Sequence, residues 1–349
     1  LLPALDWATD YDRGFLANDM LAAVIVTIML IPQSLAYALL AGLPAEMGLY
    51  ASILPLAAYA LFGTSRTLSV GPVAVASLMT ATAVGKVATA GSADYATAAI
   101  AMAMLSGLML LVMGALRFGF LANFLSHPVV SGFITASGII IALSQLRHIL
   151  GIQGQGDNLP DLLVSLSGDL GAINTVTLGT GIAALAFLFW ARAFLKPLLQ
   201  KLGLSTGMAS IIAKAAPVLV ILVTTLASFA GDFEARGVAV VGQVPQGLPQ
   251  LAVPSFDLQL WSELAVSALL ISIIGFVESV SVGKTLAAKR RQRINPNQEL
   301  VALGAANVAS AVSAGFPVTG GFSRSIVNFE AGAQTPAASI MAAIGIGLA

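Results

Sequence analysis

Residues 67–74 read TLSVGPVA and residues 316–325 read FPVTGGFSRS. In each stretch, a short run of extended character meets glycine or proline, and a short helical run follows. A helix that begins inside a bilayer leaves its first N–H groups without partners, which is tolerated only where protein or a cavity covers them. These groups carry the positive end of the helix dipole and can hold an anion. Two matching interruptions in the two halves of a membrane protein therefore predict a midmembrane anion site.

The composition indicates a membrane protein with many spans. Of the 349 residues, 58% are hydrophobic and 9% are charged, and the mean hydropathy is +0.93. In a soluble domain about a quarter of the residues are charged. The absence of cysteine excludes disulfides, thiol nucleophiles and thiolate metal sites. The first apolar run follows an acidic lead and is long enough to cross a bilayer, so we expect a retained helix and not a cleaved signal peptide.

Apolar runs predict about eleven membrane segments in a single transmembrane domain, because no linker divides them. The segments lie at residues 19–41, 43–62, 70–85, 95–116, 129–150, 172–190, 208–229, 264–283, 298–314, 323–332 and from 335 to the end. The third and the tenth are the interrupted ones. The chain is therefore predicted to be an all-α polytopic membrane protein with two short strand–half-helix breaks.

The positions of lysine and arginine predict the orientation. With a cytoplasmic N-terminus, the inner loops would hold ten bases: Arg66, Arg117, Arg192, Lys196, Lys201, Lys284, Lys289, Arg290, Arg291 and Arg293. The outer loops would then be mainly acidic, which satisfies the positive-inside rule. We interpret the cluster at 289–293 as a topology anchor, with a lipid or nucleic-acid patch as the alternative.

This orientation places the two interruptions opposite each other. The segment at 67–85 would enter from the cytoplasm and begin its helix near Pro72, and the segment at 316–332 would enter from outside and begin its helix near Phe322. The two helix N-termini would face each other at one depth, as inverted repeats require. A seven-span repeat begun at the eighth span needs about three more spans after the eleventh. We therefore expect the chain to be part of a longer protein.

Two charged residues within the predicted spans are candidates for function. Arg324 lies one turn into a half-helix at bilayer depth, where a charge costs about 2.5–3.5 kcal/mol on insertion scales. Glu278 is the only acid that this segmentation places well inside a span. The two could form a fixed structural ion pair, or Arg324 could bind an anion while Glu278 couples transport to a cation.

Three enzymatic motifs are incomplete. Gly283-Lys284-Thr285 lacks the upstream glycine of a phosphate-binding loop, because Glu278 stands there. The stretch from Gly321 to Ser325 ends in serine where a nucleophile elbow needs glycine. No H-E-x-x-H sequence occurs. We expect no enzymatic activity and no cofactor.

The motifs resemble those of the sulfate permease family, also called solute carrier family 26. They run in family order along nearly the whole chain: Pro32-Gln33-Ser34-Leu35-Ala36-Tyr37-Ala38, Gly42-Leu43-Pro44, Gly48-Leu49-Tyr50-Ala51-Ser52, Leu68-Ser69-Val70-Gly71-Pro72-Val73-Ala74, Leu125-Ser126-His127-Pro128-Val129-Val130-Ser131-Gly132-Phe133, Val241-Gly242 with Gly247-Leu248-Pro249, Glu278-Ser279-Val280-Ser281-Val282-Gly283-Lys284 and Gly321-Phe322-Ser323-Arg324-Ser325.

The resemblance implies two inverted seven-span repeats, the second incomplete here, divided into a core and a gate. The core would hold spans one to four at about 15–120 and eight to eleven at about 260–349, and the gate spans five to seven at about 121–235. It also implies an elevator-like displacement of core against gate, a homodimer and a cytoplasmic STAS domain. The last gate spans and that domain are absent from this sequence.

We expect the anion to bind between the third and tenth segments. Backbone N–H groups of Val73, Ala74, Ser323 and Arg324 would be donors, and the neighbouring side chains would shape the site. The predicted substrate-binding set is Gln33, Tyr37, Val73, Ala74, Phe322, Ser323 and Arg324, with Glu278 as the coupling residue.

The predicted function is proton-coupled sulfate uptake across the plasma membrane (the inner membrane, in a bacterium). Sodium-coupled bicarbonate transport, proton-coupled C4-dicarboxylate transport and an anion channel using the same site remain open. The expected partners are a small inorganic or carboxylate anion, a proton or sodium ion, the lipid bilayer and a second copy of the protein, with no nucleic acid.

Overall fold

Helices make up nearly all of the regular secondary structure. The structure is a computed structural model and describes residues 2–9, 11–124, 127–152, 159–214, 216–240, 247, 249 and 251–349. Five residues of the quoted family motifs lie outside the described residues: Leu125, Ser126, Val241, Gly242 and Leu248. The prediction of an all-α chain with two short strand breaks is confirmed.

The helices in the first half of the chain are α1 Ala4–Ala8, α2 Arg13–Leu40, α3 Glu46–Tyr50, α4 Leu54–Phe62, α5 Ala74–Val84, α6 Ala93–Ala115, α7 Leu121–Phe124, α8 His127–Leu150 and α9 Leu159–Gly168. Those in the second half are α10 Thr175–Trp190, α11 Lys196–Lys201, α12 Thr206–Lys214, α13 Ala216–Gly231, α14 Leu258–Lys289, α15 Pro296–Val312, α16 Phe322–Glu330 and α17 Ala337–Leu348. The strands are β1 Val70–Gly71 and β2 Thr319–Gly320.

Several helices are shorter than a full membrane crossing. Among the described residues, four helices are long and apolar enough to cross a membrane by length and composition, at Arg13–Leu40, Ala93–Ala115, Thr175–Lys201 and Leu258–Lys289. The third of these consists of α10 and α11, joined by a π-helical turn at Ala191–Leu195. The predicted second span at 43–62 consists of the two pieces α3 and α4. Pro55 lies at the start of α4, where its missing N–H costs no hydrogen bond. The apolar pattern does not register this break, because both pieces are apolar.

The two strands form one antiparallel pair with the register Val70↔Gly320 and Gly71↔Thr319. Each strand runs directly into a half-helix, because α5 begins three residues after β1 and α16 two residues after β2. The residues of both strands are buried. The chain therefore changes from strand to helix at two places, and the two strands are hydrogen-bonded to each other.

Helices α6 and α15 pack closely because small residues face each other. A Cβ at Gly107 would lie 3.0 Å from the carbonyl oxygen of Gly304, and one at Gly304 would lie 2.9 Å from that of Gly107. A Cβ at Gly114 would lie 2.7 Å from a methyl group of Val301. Small residues let helix backbones approach closely in membrane proteins. This contact fixes α15, which in turn supports β2.

The chain divides into two compact units. Unit 1 comprises Leu1–Ser131 and Val244–Ala349, and unit 2 comprises Gly132–Gln243. Unit 1 contains β1, β2 and both half-helices, so every residue of the predicted anion site belongs to it.

Candidate functional site

Hydrogen bonds of the Ser279 and Thr319 hydroxyl groups connect strand β2 to α14. Ser279 Oγ accepts from the Gly320 N–H at 2.8 Å and lies 2.7 Å from Thr319 Oγ1. Both hydroxyls also lie within hydrogen-bond distance of the Gly275 carbonyl, at 2.6 and 2.7 Å. Buried backbone groups at bilayer depth need such partners. These contacts also fix the turn of α14 that carries Glu278, the residue before Ser279.

The segment before β2 is held by one amide side chain. Asn307 of α15 accepts from the Val318 N–H at 2.9 Å and donates to the Val318 carbonyl at 2.9 Å. Its Nδ2 also donates to the Leu303 carbonyl at 2.9 Å. Asn307 thus takes the place of a neighbouring strand for Val318. The strand can begin at the next residue without leaving the N–H or carbonyl of Val318 unpaired.

Both half-helices begin without a side-chain cap. The N-cap residues are Val73 for α5 and Gly321 for α16, and no side chain accepts a hydrogen bond at either end. Serine, threonine, aspartate and asparagine usually fill this position. The predicted backbone donors at Val73 and Ala74 lie here, and both residues are buried. Two helix N-termini with their positive dipole ends uncapped are an anion-binding arrangement.

Helix α16 is locked to the opposite strand segment. The Ser69 N–H donates to Ser325 Oγ at 3.0 Å, and the Gly321 N–H donates to the Ser69 carbonyl at 3.2 Å. One turn further along, Asn328 Nδ2 donates to the Thr67 carbonyl at 3.1 Å. The start of α16 is therefore fixed against the residues that lead into β1.

Arg324 is the largest fully buried side chain among the described residues, at 1% exposure. Its Nη2 donates to the Pro72 carbonyl, whereas Nε and Nη1 have no hydrogen-bond partner. Two glycines make room for it: a Cβ at Gly71 would overlap Nη1, and a Cβ at Gly321 would lie 2.8 Å from Nε. A buried guanidinium with two nitrogens that donate no hydrogen bond is short of acceptors.

The fixed ion pair between Arg324 and Glu278 is not formed in this structure. Among the described residues, no hydrogen bond joins the two side chains, and Glu278 Oε2 is buried without a partner. Both charged groups therefore keep unused hydrogen-bonding capacity beside β2.

Three of the predicted site residues are brought together by hydrogen bonds. Gln33 Nε2 of α2 lies 3.0 Å from Tyr37 Oη and 3.3 Å from Ser323 Oγ, and it can donate to both. Gln33 Oε1 is buried and has no donor. Phe322 is 49% exposed, and Ser323 is also exposed. The structure thus places Gln33 and Tyr37 at the start of α16, and their role in binding remains a prediction.

Besides Glu278, two acids at the edges of predicted spans, Asp19 and Glu299, are fully buried. Asp19 accepts from the Gln334 N–H at 2.6 Å and from Thr335 Oγ1 at 2.5 Å. It lies in the second turn of α2, at the edge of the predicted span. Tyr11 Oη also donates to Asp19 at 3.3 Å. The apolar pattern gave no signal for its burial, because Gln334 and Thr335 are more than 300 residues away in the sequence.

Glu299 forms a second buried polar cluster. Its Oε2 accepts from Tyr59 Oη at 2.6 Å, and its Oε1 accepts from the Thr64 N–H at 2.8 Å and from Thr64 Oγ1 at 2.6 Å. Both carboxyl oxygens are therefore occupied. This cluster joins the end of α4 to the start of α15, and unlike Glu278 it has no free acceptor.

Comparison with known proteins identifies relatives along the whole chain. Sulfate transporter 4.1, chloroplastic, of Arabidopsis thaliana is 36% identical over 351 residues, covering 99% of this chain and 49% of the relative. Probable sulfate transporter MT1781 of Mycobacterium tuberculosis (strain CDC 1551 / Oshkosh) is 34% identical over 337 residues, covering 95% of this chain and 57% of the relative. The chain therefore spans about half the length of these relatives.

The fold also matches a solved structure, that of SLC26A9, with a TM-score of 0.85. The sequences are 24% identical, and the match covers 100% of this chain and 56% of the other. The family model described as the sulfate permease family matches residues 16–349. Together with the relatives above, this match shows that the chain belongs to the sulfate permease family.

Proposed function

We propose that this chain is the membrane part of a secondary transporter that takes up sulfate together with protons. The observation that carries the proposal is Arg324, which is 1% exposed and has two N–H-bearing nitrogens without partners. It lies in the first turn of α16, and its guanidinium reaches the Pro72 carbonyl just before α5; both helices begin without a side-chain cap. A purely structural scaffold gives no reason for an arginine in that position, whereas an anion would supply the missing acceptor.

The charge of the site favours a dianion. Each helix N-terminus contributes roughly half a positive charge, and Arg324 adds one. With Glu278 neutral, the total is about two positive charges, which matches a doubly charged anion. An ionised Glu278 would cancel about half of it. The relatives described above as sulfate transporters support sulfate as that dianion.

Glu278 is the proposed coupling residue. Its Oε2 is buried and has no donor, and the next residue, Ser279, holds β2 in place. Protonation would remove the carboxylate charge near Arg324 and leave the site positive enough for a dianion. Uptake of the anion would then require uptake of a proton. If sodium were the coupling ion instead, the same carboxylate would be its ligand.

We assign unit 1 the role of the substrate-carrying core and unit 2 that of the gate. All seven predicted substrate-binding residues and Glu278 lie in unit 1, so the site would be carried as one piece in an elevator-like cycle. A homodimer, a plasma-membrane location and a cytoplasmic N-terminus complete the proposal.

Uptake by proteoliposomes tests this function. The full-length protein would be reconstituted and offered labelled sulfate, bicarbonate or succinate under an imposed proton or sodium gradient. We expect saturable sulfate uptake that an inward proton gradient accelerates. Bicarbonate uptake driven by sodium would show that bicarbonate, and not sulfate, is the substrate. Succinate uptake driven by protons would show the same for a C4-dicarboxylate. Ohmic single-channel current without counter-substrate acceleration would identify a channel.

A further inference from the structure

A polar cavity lies in unit 1 and shares no residue with the predicted anion site. Its volume is about 430 Å³. Three segments that are distant in the sequence line it, together with Pro336: residues 3–7, the loop at 63–66 between α4 and β1, and the loop at 292–295 between α14 and α15. The volume is in the range of small-molecule binding sites.

Two arginines line this cavity without partners. Arg66 is half-buried and Arg293 is exposed, and in the described ranges neither guanidinium makes a hydrogen bond or an ion pair. The neighbouring Arg290 behaves differently, because its guanidinium donates to the Ala333 carbonyl and stacks on Phe329 at 4.5 Å. The lining side chains therefore carry two positive charges against the one negative charge of Asp6.

The acceptors in the cavity wall are already engaged or exposed. Thr64 Oγ1 donates to Glu299 and accepts from the Asn295 N–H, and Asn295 Oδ1 caps α15. Asp6 is exposed and makes no described contact with either arginine. The indole Nε1 of Trp7 is buried without an acceptor, and an unsatisfied buried donor costs free energy. The wall thus presents two guanidinium groups and an indole N–H to a ligand, beside the carboxylate of Asp6 and the amide of Gln292.

We propose that this cavity binds a phosphate group through Arg66 and Arg293, with Trp7 as its wall. Guanidinium forks match phosphate oxygens in a bidentate geometry, and two of them neutralise a doubly charged phosphate ester. The phosphate belongs either to the headgroup of an anionic lipid or to a soluble phosphate ester. This proposal does not depend on sulfate transport, because its residues and its ligand are separate from the anion site.

Binding is measured by titrating the full-length protein in detergent with three probes: short-chain phosphatidic acid, short-chain phosphatidylcholine and glycerol 3-phosphate. The signal is the change in tryptophan fluorescence that disappears in Trp7→Phe. We expect a saturable change with phosphatidic acid and a loss of affinity of about tenfold or more in Arg66→Gln/Arg293→Gln. Equal affinity for glycerol 3-phosphate assigns the site to soluble esters, and a response to phosphatidic acid alone assigns it to lipid.

The matched control is Arg291→Gln, which removes the same charge from an exposed residue of the same loop that does not line the cavity. It should bind like the parent. The single variant Arg293→Gln, at an exposed position, replaces the double variant if the latter does not fold. Parent-like binding by the cavity variant, equal loss in Arg291→Gln, or no saturable binding of any phosphate probe would each overturn the proposal.

Discussion

Gly71→Ala should disable the anion site by displacing one side chain. A Cβ at Gly71 would overlap Nη1 of Arg324, and apart from this side chain the nearest atom is Ser52 Oγ at 3.6 Å, an ordinary contact. Only the guanidinium must therefore move, by about 1 Å. The movement breaks the hydrogen bond from Nη2 to the Pro72 carbonyl. The displaced guanidinium would also lose a hydrogen bond to the bound anion. Because a hydrogen bond to a charged group contributes about 1.5–3 kcal/mol, we expect sulfate affinity to fall about 10- to 150-fold.

The assay is equilibrium binding of labelled sulfate to the full-length protein, carried out as a double-mutant cycle. Arg324→Ala removes the side chain that the new methyl group strikes. In that background Gly71→Ala should add no further loss, so the two changes are strongly non-additive. Additive losses would show that the methyl group acts somewhere other than on Arg324.

The matched control for the methyl group is Gly171→Ala, because a Cβ at that glycine meets nothing within 4 Å. It should bind sulfate like the parent, and thermal unfolding in detergent would confirm that all variants are folded. Parent-level sulfate binding by Gly71→Ala would refute the close packing of Arg324 on β1.

Three further predictions concern charge, coupling and support. Arg324→Ala should lower sulfate affinity severely in a folded, inserted protein. Arg324→Lys should restore the affinity only in part, because an ammonium lacks the bidentate fork of a guanidinium. Normal sulfate binding by the alanine variant would show that the arginine has a purely structural role. Glu278→Gln should still bind sulfate but lose acceleration by an inward proton gradient, measured as pH-dependent uptake in sodium-free medium; unchanged proton stimulation would exclude Glu278 as the coupling residue. Asn307→Ala should leave the N–H and carbonyl of Val318 buried without partners and lower the free energy of unfolding by about 2–4 kcal/mol; an unchanged denaturation midpoint would contradict this.

The sequence predicts the local features of the fold well. Gly71-Pro72 and Gly320-Gly321 interrupt apolar runs, and the structure has a strand–helix transition at each. Glycine widens and proline narrows the range of backbone conformations at its own position, so such a break is visible in the sequence. The break between α3 and α4 was missed because both sides of it are apolar.

What the sequence alone determined is that this is an all-helical membrane chain with two half-helices and an arginine at the start of the second. Only the tertiary structure decided which side chains meet there. Gln33 contacts Ser323 across 290 residues of sequence, and Arg324 passes over a glycine of the other strand to reach Pro72. Apolar periodicity reports which face of a helix is buried, and it carries no information about the partner on the other side. The pairing of β1 with β2 supplies that partner, and the burial of Asp19 and Glu299 follows from the same long-range packing.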